Sequence, residues 1–159
     1  MNTAIDMVPV RRSVVVEVGA SEAFDVFTQD VDGWWPRTHH VGTTAMVASV
    51  IEPYAGGRCY TRHEDGAEMV WGTVTTWNPP RRLVLAWHIT HDFKLQADPN
   101  QASEVEVEFT MLGPRRTRVD LEHRLLERHA THAGAMRRIL DGPNGWATVL
   151  AAYSRRTTS

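Results

Sequence analysis

Residues 65–87 read DGAEMVWGTVTTWNPPRRLVLAW, and this stretch predicts two consecutive β-strands. Asp65-Gly66 is a favoured hairpin turn that leads into the first strand, residues 67–77. Asn78-Pro79-Pro80 ends that strand, because proline cannot donate a hydrogen bond to a β-ladder. The second strand is predicted over residues 82–91, where alternate positions are apolar: Leu83, Leu85, Trp87 and Ile89.

Toward the N-terminus, the pattern changes from strand to helix and back to strand. Residues 11–18 are rich in valine and predict a strand. Ser21 is expected to cap a short helix that buries Phe24 and Phe27, which lie three residues apart. A second short helical segment over residues 31–35 should end at Pro36. Two further strands are then predicted over residues 46–54 and 58–64.

Toward the C-terminus, two alternating strands precede a helical region. Residues 103–112 place apolar side chains opposite Glu104, Glu106 and Glu108, and residues 117–126 alternate in the same way. Helices are predicted over residues 128–140 and 146–156, with turn residues between them. The second helix carries its apolar residues on one face, so it is expected to cover a curved antiparallel sheet of seven strands: Trp146, Val149, Leu150 and Tyr153.

Length and composition favour one domain spanning residues 1–159. The chain has 42% hydrophobic and 23% charged residues, which is typical of a globular protein. Its net charge of −2 argues against a nucleic-acid binder that neutralises phosphates. The sequence has neither the apolar core of a signal peptide nor a run long enough to span a membrane, so we expect a cytoplasmic protein without a membrane partner.

No fingerprint of hydrolase, nucleotide or dinucleotide chemistry occurs, and no cofactor is predicted. The single cysteine, Cys59, lies in a strand without a predicted histidine partner and is expected to be a buried, inert thiol. His129 and His132 have the i, i+3 spacing that places both rings on one helical face. A third ligand is lacking, and His88 and His91 should lie on opposite faces of a strand, so no metal site is predicted.

The order of these elements, with several local patterns, resembles the helix-grip fold of the START/Bet v 1-like (SRPBCC) superfamily. Within it the chain is similar to proteins related to the activator of Hsp90 ATPase. The resemblance is carried by SEAFDVFT after the first strand, GWWP at residues 33–36, EPYAGGRCY at 52–60, the stretch over 65–87 and GWATVLAAY near the end. It implies an α+β fold in which a curved seven-stranded antiparallel sheet wraps around a long C-terminal helix.

The resemblance also implies a cavity between the sheet and that helix. Strand parity then directs Met69, Trp71, Thr73 and Thr75 inward. The residues expected to contact a ligand are Trp35, Trp71, Thr73, Trp87, Phe109, His123, Trp146, Leu150 and Tyr153. Core packing is the favoured interpretation of any single aromatic residue among them. Arg37, His39 and His40 are expected near the cavity mouth, where Arg37 would neutralise an acidic head group or remain a surface charge.

His123 lies on the apolar parity of its strand, so it has two interpretations. It either binds or protonates a ligand, since imidazole titrates near neutral pH, or it is a core histidine paired with a hydroxyl such as that of Thr73 or Thr75. The core interpretation is somewhat favoured. The sequence does not identify any catalytic residue.

Three functions are compatible with the sequence. The leading one is binding of a small, largely hydrophobic molecule in the cavity. The alternatives are a polyketide cyclase-type enzyme that uses a cavity polar group such as His123, and a co-chaperone of an Hsp90-type ATPase, which ranks last because the larger partner domain of that co-chaperone is absent from this sequence. A homodimer through an edge strand is compatible with all three.

Overall fold

The structure, a computed structural model, describes residues 7–158. Residues 1–6 and 159 lie outside it, so a single domain over the whole of residues 1–159 stays a prediction. The described chain forms an α+β helix-grip fold, as expected. Its seven strands are β1 (Val10–Val16), β2 (Met46–Ile51), β3 (Arg58–His63), β4 (Glu68–Asn78), β5 (Arg82–Trp87), β6 (Ser103–Gly113) and β7 (Arg116–Arg124).

The strands form one antiparallel sheet in the order β1-β7-β6-β5-β4-β3-β2. Strands β2 to β7 are therefore a meander, and β1 pairs beside the last strand, with Val10 opposite His123. The helices are α1 (Ala20–Thr28), α2 (Ala133–Asp141) and α3 (Trp146–Thr157). Short 3-10 turns occur at Val31–Gly33, Pro99–Gln101 and Leu126–His132.

Helix α1 begins two residues earlier than predicted. Its N-cap is Gly19, in an extended conformation, and Ser21 lies inside the first turn, so the predicted Ser21 cap is wrong. A β-carbon at Gly19 would lie 2.9 Å from the carbonyl oxygen of Pro114, which explains why the chain carries glycine there. Phe24 and Phe27 are buried, as predicted.

The predicted helix over residues 128–140 is divided. Residues up to His132 form a 3-10 turn in which Ala130 has non-helical angles (φ 56°, ψ −125°), and α2 begins only at Ala133. Because the helical conformation is interrupted at Ala130, His129 and His132 do not lie on one face of a continuous helix. The predicted break before Trp146 is present, and α3 buries Trp146, Val149, Leu150 and Tyr153.

Two bulges in β4 change the predicted parity of its side chains. Tyr60 and Cys59 pair with Val70 and Gly72, so Trp71 is an extra residue relative to β3. Thr75 is likewise extra relative to β5, because Val74 and Thr76 pair with consecutive residues of that strand. Bulges of this kind bend a strand and increase its twist. The inward prediction is therefore wrong for Thr75, which is exposed, whereas Val74 is buried.

Strand β5 ends at Trp87, four residues before its predicted end. Beyond it the chain folds back on itself: Thr90 N–H donates to the Lys94 carbonyl at 2.8 Å, and Ile89 pairs with Leu95 across an isolated bridge. We call residues 88–96 the strap. His88 and His91 lie in the strap rather than on two faces of a strand, which corrects the sequence-based placement.

The outer face of the sheet carries the predicted row of glutamates. Arg124 donates to Glu104 at 2.5 Å and to Glu106 at 2.6 Å, and Arg82 also pairs with Glu106. Burial would lower the pKa of Arg124, but the hydrogen bonds that it donates to the carboxylates of Glu104 and Glu106 raise the pKa above its usual value. These cross-strand pairs on β5, β6 and β7 favour the observed register, since a one-residue slip would turn the charges inward.

Gly145 lies between α2 and α3, and its lack of a side chain allows the start of α3 to lie close to the backbone at the end of α2. A β-carbon there would lie 2.1 Å from the Leu140 carbonyl oxygen and 2.5 Å from the Leu140 carbonyl carbon. Backbone atoms cannot move aside as a flexible side chain can. The start of α3 therefore depends on glycine at this position.

We predict that Gly145→Ala lowers the free energy of unfolding by about 2 kcal/mol or more, through overpacking against backbone. The matched control is Gly134→Ala in α2, where the nearest atom to the new methyl group is the flexible Arg138 side chain at 3.6 Å. That variant should be neutral or stabilised by up to about 1 kcal/mol. Urea unfolding measures both variants, and equal stability of the two would contradict the role given to Gly145.

Candidate functional site

A pocket of about 380 Å³ lies between the inner face of the sheet and the C-terminal helices. It has the size of many small-molecule sites. Four segments build its wall: the loop after the 3-10 turn at Val31–Gly33, the end of β5 with the strap, α2, and the start of α3. The lining residues are Trp35, Thr38, His39, His40, Val41, Trp87, Ile89, Phe93, Met136, Ile139, Leu140, Asn144, Gly145, Trp146 and Val149.

Three of the predicted ligand-contact residues are brought together in this wall. The Trp87 ring centroid lies 5.5 Å from that of Trp146, and Trp35 lies 6.5 Å from Trp146 at an interplanar angle of 79°. Trp71 is one layer deeper, stacked on Trp35 at 5.3 Å and 17°. Three indole rings thus form one part of the pocket wall, and a fourth indole, that of Trp71, packs against the outer side of Trp35.

The other predicted contact residues lie elsewhere. Phe109 packs against Phe24 and Phe27 in the core. The Tyr153 hydroxyl is buried and donates to the Ala23 carbonyl at 2.8 Å. Thr73 lies opposite Ala86 on the outer face of the sheet, where its hydroxyl bonds His88. The predicted contact residues that do not line the described pocket, besides Trp71, are Thr73, Phe109, His123, Leu150 and Tyr153.

Sequence reasoning missed the contribution of α2 and of the strap. The sequence predicts a helix over residues 128–140 but does not show which element contacts its apolar residues Met136, Ile139 and Leu140. Phe93 falls between the strands predicted over residues 82–91 and 103–112, where the sequence predicts no helix or strand. An isolated aromatic residue in the run HDFKLQ was the one signal that could have placed this loop against an apolar surface.

The pocket wall carries no formal charge. Among the described residues that line it there is no Asp, Glu, Lys or Arg. Its main polar groups already bond one another: Trp35 Nε1 donates to the His39 carbonyl at 2.8 Å, and His39 Nε2 donates to the Asn144 carbonyl at 2.9 Å. His39 therefore joins the loop over residues 36–45 to the turn that precedes α3.

Among the wall residues, Trp87 Nε1 is buried without a hydrogen-bond partner in the described chain, and His40 is the histidine with an available ring nitrogen. Its Nδ1–H donates to the Val41 carbonyl at 3.2 Å, which leaves Nε2 with a lone pair and no partner among the described residues. The half-buried ring lies 5.0 Å from the ring of His63. His63 itself is fully engaged, between the Thr44 carbonyl and the Thr61 hydroxyl.

Arg37 is not in the wall. It pairs with Asp32 at 2.8 Å on the surface. Burial would raise the pKa of Asp32, but hydrogen bonds from Arg37 and from the Ser49 N–H hold it below its usual value. The structure therefore supports the surface-charge interpretation of Arg37 and leaves it without a place beside a ligand.

His123 is fully buried behind the wall and bonded at both ring nitrogens. Trp146 Nε1–H donates to His123 Nδ1 at 3.0 Å, and His123 Nε2 lies 2.7 Å from the Ser103 hydroxyl. The hydroxyl that bonds His123 is thus that of Ser103, whereas the sequence suggested Thr73 or Thr75. Burial, together with the nearby His129, lowers the pKa of His123 to about 3, so the ring is neutral at physiological pH.

The remaining histidines and the cysteine do not form a metal site. His129 bonds Ser103 at 2.9 Å, whereas His132 stacks on His91 at 3.8 Å. No group of three potential metal ligands occurs within residues 7–158.

Cys59 is buried, and burial followed by the charge of Glu52 raises its thiol pKa far above the usual value, which makes it a poor nucleophile. None of the described helices is long and apolar enough to cross a membrane.

We predict that His123 makes the protein sensitive to acid. Above pH 6.5 the ring is neutral in both the folded and the unfolded chain. Between pH 6.5 and 3 only the unfolded chain takes up the proton, so the free energy of unfolding should fall by up to about 1.4 kcal/mol per pH unit. In His123→Gln this slope should be smaller by that amount, as measured by urea unfolding across the pH range. Parallel curves for the two proteins would contradict the buried neutral state.

Comparisons with known proteins agree with this architecture. The family described as activator of Hsp90 ATPase homolog 1-like protein matches residues 17–152. No curated protein is significantly similar to the chain. Among solved structures, the anthrahydroquino-gamma-pyrone synthase Txn09, in complex with SUM, is 37% identical with a TM-score of 0.66. The match covers 96% of this chain and 99% of that one.

Two other solved structures span different degrees of likeness. The self-sacrificing resistance protein CalC from Micromonospora echinospora is 30% identical with a TM-score of 0.68, over 94% of this chain and 93% of that one. An Hsp90 activator from Plasmodium falciparum is 18% identical with a TM-score of 0.49, over 73% and 71%, which is too weak a likeness to inform the partner of this chain. With a family match over residues 17–152 and a fold of the same kind, the chain belongs to the activator of Hsp90 ATPase homologue 1-like family of the SRPBCC superfamily.

Proposed function

We propose that the protein binds a small, uncharged and largely hydrophobic molecule in the pocket, and that the preferred ligand is a flat aromatic ring system. The observation that carries this proposal is the wall itself, in which Trp35, Trp87 and Trp146 surround about 380 Å³ of space. Indole rings contribute large apolar area and stack or pack edge-on against aromatic ligands. Trp71 behind Trp35 holds the wall in place.

The absence of charged residues from the described pocket wall supports an uncharged ligand. A carboxylate or sulfonate placed there would lose its hydration without gaining an ion pair. The polar groups that remain, at Thr38, His40 and Asn144, suit one or two hydrogen bonds to a carbonyl or hydroxyl group. This combination of apolar walls with few polar groups is typical of small-molecule sites.

The relationship to Txn09 supports an aromatic ligand. That protein is a synthase of an anthrahydroquino-gamma-pyrone, which is a fused aromatic compound. It aligns with almost the whole of this chain at 37% identity. We extend from it the ligand class alone, a polycyclic aromatic molecule of polyketide type.

A second candidate function, a polyketide cyclase-type enzyme, is favoured by the same relationship and by His40. The lone pair of His40 Nε2 is suited to accept a proton from a bound substrate. His123 is not suited to that role, because it is buried with both nitrogens bonded and is not part of the described pocket wall. The co-chaperone alternative rests on the family name.

We predict that the pocket prefers a neutral aromatic probe to its anionic analogue. N-phenyl-1-naphthylamine and 8-anilinonaphthalene-1-sulfonate share one ring system and differ by the sulfonate. The neutral probe should bind at least about tenfold more tightly, since the pocket wall has no cation to pair with the sulfonate. Fluorescence titration measures both affinities. Tighter binding of the sulfonate would contradict an uncharged ligand.

Filling the pocket should weaken binding. Ile139→Trp places an indole in the pocket wall, where it should weaken N-phenyl-1-naphthylamine binding by at least about tenfold, because the space for the ligand is lost. Val15→Trp is the matched control, since Val15 is 42% exposed on β1 and does not line the pocket. Equal affinity of the two variants for the probe would place its binding outside the pocket.

For the second candidate, we expect His40→Gln to keep probe affinity within about twofold while losing conversion of an anthrahydroquinone-bearing polyketide by at least about a hundredfold, as followed by chromatography. Unchanged conversion in His40→Gln would remove His40 as the base. Lack of conversion by the unmodified protein would leave binding as its function.

A further inference from the structure

We propose that His129, Ser103 and His123 form a positioning relay that holds Trp146 in the pocket wall, so that ligand binding weakens when His129 is protonated. The inference rests on the proposed function, because it concerns how well the pocket holds a ligand. Its members come from three elements: the 3-10 turn Leu126–His132, β6 and β7. None of the three relay residues is in the described pocket wall.

The direction of every hydrogen bond in the relay follows from the indole. An indole nitrogen only donates, so His123 Nδ1 must accept from Trp146 and the His123 proton must be on Nε2. His123 Nε2–H then donates to Ser103 Oγ at 2.7 Å. The Ser103 hydroxyl is left to donate to His129 Nε2 at 2.9 Å. The arrangement therefore requires a neutral His129 with its proton on Nδ1.

Protonation of His129 is incompatible with this arrangement. A proton on His129 Nε2 removes the acceptor of the Ser103 hydroxyl, and Ser103 is 1% exposed, so water cannot replace it. The hydroxyl could donate to His123 Nε2 only if the His123 proton moved to Nδ1. That proton would then face the Trp146 indole N–H. Ser103 Oγ can still accept from both histidines, but either its own O–H or the Trp146 N–H is left without an acceptor, and the second outcome releases Trp146 from the sheet.

His129 is the member of the relay that solvent protons can reach. It is half-buried, whereas Ser103 and His123 are buried. The titratable or charged groups around it are His91 of the strap, with Asp92 beside it, His123 of β7, and Glu127, Arg128 and His132 of its own turn. Arg128 is exposed and donates to the Ala102 carbonyl.

The neighbours of His129 set the direction of the effect. Burial, and then the nearby His91, lower the pKa of His129 below its ordinary value of 6.5. The neutral ring and the intact relay are therefore present at neutral pH. As the pH falls below the ordinary range of histidine, His129 gains its proton, the relay breaks, and the affinity of the pocket for its ligand decreases.

Nuclear magnetic resonance of the free protein tests the relay without any ligand. In ¹⁵N-labelled protein titrated from about pH 8 to 5, the Trp146 indole N–H should shift with the same midpoint as the His129 imidazole. In His129→Gln, whose amide oxygen can still accept from Ser103 but does not titrate, that shift should vanish. His132→Gln is the control and should retain it. A Trp146 signal that titrates unchanged in His129→Gln, or stays fixed while His129 titrates, overturns the relay.

Binding of N-phenyl-1-naphthylamine provides the second readout. Its affinity for the unmodified protein should fall about tenfold as His129 gains its proton, with the midpoint that the resonance titration gives, and His129→Gln should show a flat profile over the same range. A flat profile in the unmodified protein overturns the inference while leaving the proposed function intact. If the probe fails to bind at every pH, the proposed function fails, and the resonance titration still decides the relay. Should His129→Gln not fold, Ser103→Ala breaks the same connection and is expected to abolish the Trp146 shift.

Discussion

The hydrogen bond from the Trp146 indole to His123 joins the first turn of α3 to β7, and the functional architecture depends on it. The helix contributes an aromatic ring to the pocket, and the sheet contributes the acceptor that orients that ring. His123 is fully buried, so the bond is shielded from water and its loss would leave two polar groups without partners. The position of His123 on the inner face of the sheet suggests a catalytic residue, but its hydrogen bond instead positions Trp146 in the pocket wall.

The pocket results from the meeting of four segments that are distant in the sequence. The loop after α1 supplies Trp35, the end of β5 supplies Trp87, and α2 closes one side with aliphatic residues. Gly145 allows α2 and α3 to approach closely enough for this wall to form. Because Trp35, Trp87 and Trp146 are already buried and packed, the wall is largely preformed, which reduces the conformational entropy that the protein loses when a ligand binds.

The sequence was sufficient to predict the seven strands, their meander and the apolar face of α3, since hydrophobic periodicity and turn residues report local structure directly. It failed where tertiary packing overrides that pattern. The two bulges in β4 shift Thr73 and Thr75 out of the predicted parity. Gly72, an isolated glycine within the strand, is the sequence signal of an irregularity there, but it does not give the register. The position of α2 and the return of the strap at Phe93 depend on long-range contacts, so the part of the pocket wall that these two segments supply was not predictable, whereas the tryptophans and the histidine loop at His39 and His40 were.

The central claim is that an uncharged aromatic molecule binds among Trp35, Trp87 and Trp146. A crystal structure of the protein with N-phenyl-1-naphthylamine tests it most directly. We expect the naphthalene ring to lie within van der Waals contact of all three indoles, with Trp146 still bonded to His123. Density for the probe at any other surface, with the pocket unoccupied, would contradict it.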